Sequence, residues 1–505
     1  MRAASIVVVG VMLLTAGPAA FGQQAAAEKA QEQYVPRSEY ERLKEAFEKL
    51  QRQVEQIQKQ TSRTTERRMQ QGIEEKKELG SLPESELRPG WERALVRGGI
   101  GSGHRDTMDV RIASAGDMDL LMGVDTVGRF QYLTQGHVAD TVGSDSTLSG
   151  PLSPGFQTAY GNFSFLADFD RWLEVYFDIF IADSPHPDKL QGDEGYMFIR
   201  ELPDSIGKTR LGEALFDAVD IKAGQFELDF GDAHYRRSTN AAVQRNPLIG
   251  NYVVDPRSTE IGVEVSGDEG RFPVDWLVGV GSGGETGDFQ KNHGLSLHGK
   301  VGGRPAEHLS VSSSIYWVDQ SDSPISSRTN LFRANRSGGP YAGVLDNGTA
   351  PGEVFLTAGQ NVLATQFDAT WKGHPLEGYA HIGWVRDSDT NGNAAETPKE
   401  SWLYYAAEGT YHVTDRLYGA ARYSGAAAQR LVSAASSSRD VDSDGFIHRI
   451  QVGGGYWLTK TMLLKAEYVY QLYTGFSSDG SQVSGVNVWN DPSFQGVITE
   501  ASFAF

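Results

Sequence analysis

A short basic segment offers the clearest site chemistry in this sequence. Between Asp232 and Asp255 stand His234, Arg236, Arg237 and Arg245, with only those two aspartates against them. Guanidinium groups stay charged at any physiological pH and present forked donors, so three of them in a short loop suit an anion. The alternative is that they pair with carboxylates elsewhere, such as Asp125, Asp168, Glu174 and Asp178, and merely hold the loop. A second chemistry is suggested by Asp387-Ser388-Asp389-Thr390-Asn391-Gly392 and Asp440-Val441-Asp442-Ser443-Asp444-Gly445. Asp387, Asp389 and Asn391, and likewise Asp440, Asp442 and Asp444, place oxygens at alternate positions before a glycine, as a calcium loop does. The twelfth positions are Pro398 and Gln451, so the bidentate Glu is missing, and the same residue types build ordinary turns.

No enzyme is expected. G-x-S-x-G, H-E-x-x-H and a phosphate-binding glycine loop are all absent, and 11 scattered histidines do not argue a triad. With no cysteine there are no disulfides, thiolate metal sites or thiol nucleophiles. The 505 residues carry 46 Lys and Arg against 65 Asp and Glu, a formal charge of -19, which makes nucleic acid an improbable partner. No cofactor beyond calcium in the two loops is implied.

The elements that must position these groups change character along the chain. Ile6 to Leu14 is an apolar run too short to span a bilayer but suited to a signal peptide. Ala20 and Gly22 then place a cut before Gln23, giving a signal segment over 1–22. From Tyr40, apolar residues recur at Leu43, Phe47, Leu50, Val54 and Ile57, a heptad seam started by the capping pair Ser38 and Glu41. This predicts a helical coiled-coil segment within 23–82, exported to the periplasm. Its counts of 13 basic and 13 acidic residues over 28–88 cancel, so the acidity lies beyond Pro89. Pro83 and Arg88-Pro89-Gly90 end the helix, and 83–118 reads as a linker in which Met108, Val110 and Ile112 alternate.

Beyond Asp119 the period becomes two and remains so to Phe505. Met122, Val124, Thr126, Gly128, Phe130 and Tyr132 oppose Asp125, Arg129 and Gln131; Leu173, Val175, Phe177 and Ile179 oppose Glu174 and Asp178. Sixteen such segments are predicted, centred near 128, 163, 177, 198, 224, 262, 277, 298, 313, 367, 381, 407, 419, 452, 467 and 500. Long connections alternate with short ones, and aromatic residues such as Tyr132, Trp172, Trp402, Trp457 and Tyr473 gather at segment ends. The pattern predicts an all-β transmembrane antiparallel barrel over 119–505, with the short turns and the N-terminal segment on the periplasmic side. A soluble sandwich alternates as well, but with the opposite sense of inside and outside.

These features together, and the run Ile221-Lys222-Ala223-Gly224-Gln225-Phe226-Glu227-Leu228-Asp229-Phe230-Gly231, resemble the phosphate-selective porin family of the O and P type. Leu228-Asp229 occupies the place of that family's proline. The resemblance implies a trimeric outer-membrane diffusion channel, with phosphate a candidate solute. In that setting the loop with His234 and Arg236 would fold inward and narrow a water-filled lumen, since a sixteen-strand ring is wide. Arg129 and the carboxylates Asp125, Asp168, Glu174 and Asp178 would be lumen charges. Expected partners are outer-membrane lipid and two further copies of the chain. A structural tether, reaching the cell wall through the coiled coil, is the competing expectation.

Overall fold

The computed structural model describes residues 110–504 apart from 116–117, 140–146, 158, 170–172, 183–189, 201–218, 237–242, 257–258, 268–273, 284–294, 320–330, 333–339, 347–351, 357–360, 389–398, 433–439, 443, 477–481, 484–485 and 488–490. The signal segment, the heptad helix, the start of the linker and Phe505 therefore lie outside the described residues. What is described is a closed antiparallel barrel.

Its sixteen strands are β1 (Met118–Ala139), β2 (Tyr160–Phe169), β3 (Leu173–Ala182), β4 (Leu190–Ile199), β5 (Asp220–Glu227), β6 (Thr259–Gly267), β7 (Asp275–Gly281) and β8 (Leu295–Ala306). The second half comprises β9 (Leu309–Asp319), β10 (Asn361–Lys372), β11 (Leu376–Ser388), β12 (Lys399–His412), β13 (Leu417–Val432), β14 (Phe446–Trp457), β15 (Met462–Thr474) and β16 (Ser493–Ala504). Each strand pairs with the next. The ring closes where β16 pairs with β1, from Asp125 opposite Ala504 to Gly136 opposite Ser493. All sixteen segments expected from the two-residue period are present. Closure leaves the main wall without a free edge, which matters because an unpaired edge exposes a row of backbone donors and acceptors.

Shorter pieces extend the first strand. Val110–Ala115, within the region read as linker, pairs with Met118 to Met122 and so belongs to the sheet. Thr147–Pro151 and Gly155–Phe156 pair with β1 beyond the reach of β2. Connections of two to four residues at one end, such as 373–375 and 413–416, alternate with long ones at the other, such as 228–258 and 320–360. The exceptions at the short end are 200–219, as its length in the sequence indicates, and the seven-residue connection 268–274.

The alternation has an inside-out sense. On β10, Phe367 is 60% exposed whereas its neighbour Asp368 is 4% exposed. Val278, Leu297, Ile315, Ile382, Ile450 and Val452 are exposed in the same way, while Glu264, Lys300, Glu408, Arg422, Arg449 and Glu467 are buried. Charged residues on the enclosed face and aliphatic ones on the outer face are the reverse of a soluble sandwich.

Candidate functional site

The enclosed face is held together by ion pairs between strands. Arg129 on β1 donates from Nε to Glu500 Oε2 on β16 at 2.6 Å and stacks over Tyr160 with its guanidinium carbon 4.9 Å from the ring centre. The other carboxylate oxygen of Glu500 meets Lys465 Nζ at 2.5 Å. Farther around the ring Arg422 on β13 donates to Glu408 on β12 at 2.7 Å, and, across from the seam, Lys300 on β8 meets Asp229 and Asp232 at 2.5 and 2.8 Å. Such buried charges are tolerable only when paired and hydrogen-bonded, which these are.

Residues 228–236 and 243–256 follow a course defined by side chains of the wall. The Gly231 amide donates to Ser314 Oγ on β9 at 3.0 Å and the Asp232 amide to Asp368 on β10 at 3.1 Å. After the short 3-10 turn Ala233–Arg236, the Lys465 ammonium takes the carbonyls of Val243, Asn246 and Leu248 at 2.9, 3.2 and 3.1 Å. Glu467 accepts the amides of Ile249 and Gly250 at 2.7 and 2.9 Å. Arg422 reaches the Gly250 carbonyl at 2.6 Å, and Arg449 the Asn251 carbonyl at 2.9 Å. Wall cations thus satisfy loop carbonyls, and a wall carboxylate satisfies loop amides, which removes the usual cost of burying irregular backbone.

A second long connection joins it. The Val354 amide donates to the Val253 carbonyl at 2.8 Å, and Val254 and Val354 form a parallel bridge. Residues 340–345 lie along β1, where Gln131 donates to the Ala342 carbonyl at 2.8 Å and Gln135 accepts the Leu345 amide at 3.0 Å. Leu228, Phe230, Ile249, Val253 and Val254 from the first connection, with Phe332, Tyr341, Leu345 and Val354 from the second, pack against Leu133, Tyr316, Trp402, Tyr404 and Phe494 of the strands. These strand positions lie toward the long-connection end. The enclosed space is therefore apolar and packed at that end and charged farther in, not uniformly polar.

Of the residues singled out by sequence, Arg236 is buried and donates from Nη1 to Glu408 Oε1 at 2.7 Å, with its guanidinium 5.0 Å from the Tyr379 ring centre. Burial alone would lower its pKa, but Glu408 and neighbouring phenols hold it above the ordinary arginine value. Tyr252 and Tyr341 are held neutral: burial first, then Glu408 and Glu467 respectively, raise their phenol pKa values. His234 sits in the 3-10 turn, Arg237 lies outside the described residues, and Arg245 lines a cavity with Arg236. The carboxylates occupy a different sector. Asp125 accepts the Asn162 amide at 2.9 Å, Asp178 accepts Ser164 Oγ at 2.6 Å, Glu174 pairs with Arg200 at 2.7 Å, and Asp168 is buried opposite Glu174. The partner of Arg236 is thus Glu408 rather than any of those four. Glu408, Arg422, Arg449 and Lys300 were not singled out, although each occupies the polar parity of its strand.

The two aspartate-rich loops differ. Asp387 is buried at the end of β11, where it accepts the Asn361 amide at 3.1 Å; Asp389 and Asn391 lie outside the described residues. Asp440–Asp442 form a short strand paired with Arg430 to Val432, and Asp444 is exposed. Among the described residues no three histidine or carboxylate side chains are grouped as metal ligands.

No family model and no curated protein matches the chain. Among solved structures it is similar to the outer membrane channel DcaP of Acinetobacter baumannii, at 12% identity over 79% of this chain and 100% of that one, with a TM-score of 0.47. An anion-selective porin from Comamonas acidovorans aligns at 11% identity over 77% of this chain and all of that one, with a TM-score of 0.45. OmpF of Salmonella typhi, in complex with daunomycin, aligns at 11% identity over 77% of this chain and 98% of that one, with a TM-score of 0.46.

Proposed function

We propose that the chain is an outer-membrane porin through which small hydrophilic or anionic solutes, phosphate among them, diffuse passively. The observation that carries this reading is the inside-out closed ring: aliphatic and aromatic side chains on the exposed face, charged ones on the enclosed face, and no open edge in the main wall. Such a wall satisfies its own backbone and suits a hydrocarbon surround. The short-turn end is then periplasmic. The segment 228–256 is the narrowing element, and its basic residues set ion preference because fixed charges at the tightest point are screened least by salt. A homotrimer, calcium in the aspartate-rich loops and cell-wall contact through the heptad helix complete the reading.

The experiment is a single-channel recording across a salt gradient. Replacing Arg236, Arg237 and Arg245 together with Gln is expected to shift the reversal potential toward cations and to lower anion conductance, most strongly at low salt. Open channels with an unchanged reversal potential would leave these arginines as loop anchors and refute their role in selectivity. Absence of any conductance from folded wild-type barrel would refute the channel itself.

A further inference from the structure

Arg236 leaves one donor unused. Its Nη1 is taken by Glu408, but Nη2 is buried and, among the described residues, donates to nothing. The Nε1 of Trp457, on the last residue of β14, is buried and unpartnered in the same way. Both residues line one cavity of about 30 Å³, together with Arg245, Thr410, His412 and Glu377. A buried indole or guanidinium N–H without an acceptor costs on the order of 1 to 3 kcal/mol, so two around one space indicate a missing acceptor.

Size and charge narrow its identity. One water needs roughly 10 to 15 Å³ of such space, so the cavity holds about two waters or a single small anion. Arg236 and Arg245 contribute two positive charges. Glu377 contributes a negative one and lies 3.5 Å from His412 Nε2, and Glu408 is already shared between Arg236 and Arg422. The indole N–H can donate but not accept, and a guanidinium likewise, so the occupant must be an acceptor at both contacts. Among the described residues neither Glu377, which lines the cavity, nor Glu408 accepts from either of these two donors.

We propose that this cavity is a binding site for one small anion, a halide or the carboxylate head of a solute, held between Arg236 Nη2 and Trp457 Nε1. The lining comes from the segment 228–256 itself, through Arg236 and Arg245, and from the ends of β12 and β14 and the starts of β11 and β13, so the cavity lies where that segment meets the short-turn end. Resting on the porin reading, the site is the last stop of an anion leaving toward the periplasm. Its existence as a binding site does not require that the barrel conduct.

The test uses bromide as probe on the full-length protein in detergent. Crystals grown in bromide should give an anomalous peak within hydrogen-bond reach of both donors. Isothermal titration should show bromide binding weakened about five- to tenfold by Trp457→Phe, which keeps the ring and removes the N–H. In bilayers, the bromide concentration that half-saturates conductance should rise by a similar factor in the same variant. Trp457→His, which restores a ring N–H, should recover part of the loss, and circular dichroism would report whether either variant folds. No anomalous peak at this position in wild-type crystals, or equal affinity in wild type and folded Trp457→Phe, would overturn the proposal in favour of trapped water. Bromide bound here in a barrel that passes no current would uphold the site while refuting the porin reading; current without bromide would do the opposite.

Discussion

Gly224 lies in the run that carries the family resemblance, and its backbone explains the glycine without reference to solutes. Its φ is +140°, a region L side chains rarely adopt, and an added Cβ would overlap the Gly195 carbonyl and lie 2.7 Å from Tyr196 Cα on the neighbouring strand. Gly224→Ala is therefore expected to destabilise the folded barrel by about 2 to 4 kcal/mol, from strain and steric overlap together. Denaturant titration in detergent would measure it, and a change below about 0.5 kcal/mol would show that the strands relax freely around the new methyl. At this scale the sequence was only partly readable. It marked Arg236 as a functional cation, but not its partner: Glu408 is 172 residues away, and no local spacing links the two. The acidic residues with the plainer signal, Asp178 and Glu174, are engaged by Ser164 and Arg200 in another sector.

The strands were legible because burial on one face imposes a period of two on each of them independently. The course of the 228–256 segment was not, since irregular backbone has no period. Its apolar residues, Leu248, Ile249, Tyr252, Val253 and Val254, are an unusual content for an exposed loop and are the signal that could have marked it as buried. Their burial follows from the polar clamps at each end, of which Glu467 is the most concentrated. It accepts the Ile249 and Gly250 amides, the Tyr341 hydroxyl, and Gln451 Nε2 at 3.3 Å. Glu467→Gln keeps the size but turns half of the acceptor into a donor facing donors. We expect the Ile249 and Gly250 amides to exchange hydrogen at least tenfold faster, with about 2 to 3 kcal/mol lost from the segment's local stability. Exchange rates equal to wild type would mean that the apolar packing holds the segment without the carboxylate.

For the whole molecule, the ring is finished by its first and last strands, so the seam joins the pair most distant in sequence. Arg129 and Glu500 are 371 residues apart, and they meet at that seam. Bringing such distant points together carries a chain-entropy cost of roughly 5 kcal/mol from length alone, before any contact offsets it. Hairpins between consecutive strands face no comparable cost, so the order of events should run from local pairing to closure. The seam is then a kinetic latch: made after the main barrier is crossed, and the natural place for the wall to begin to part. Arg129→Gln, which leaves Glu500 still bound to Lys465, should speed unfolding several-fold while leaving the folding rate nearly unchanged, as interactions absent from the transition state do. A variant that folds more slowly by the same factor would instead place closure at the barrier. On the first ordering, the durability of the assembled wall is governed less by the sum of its sixteen strands than by how long one arginine and one glutamate at the join stay together.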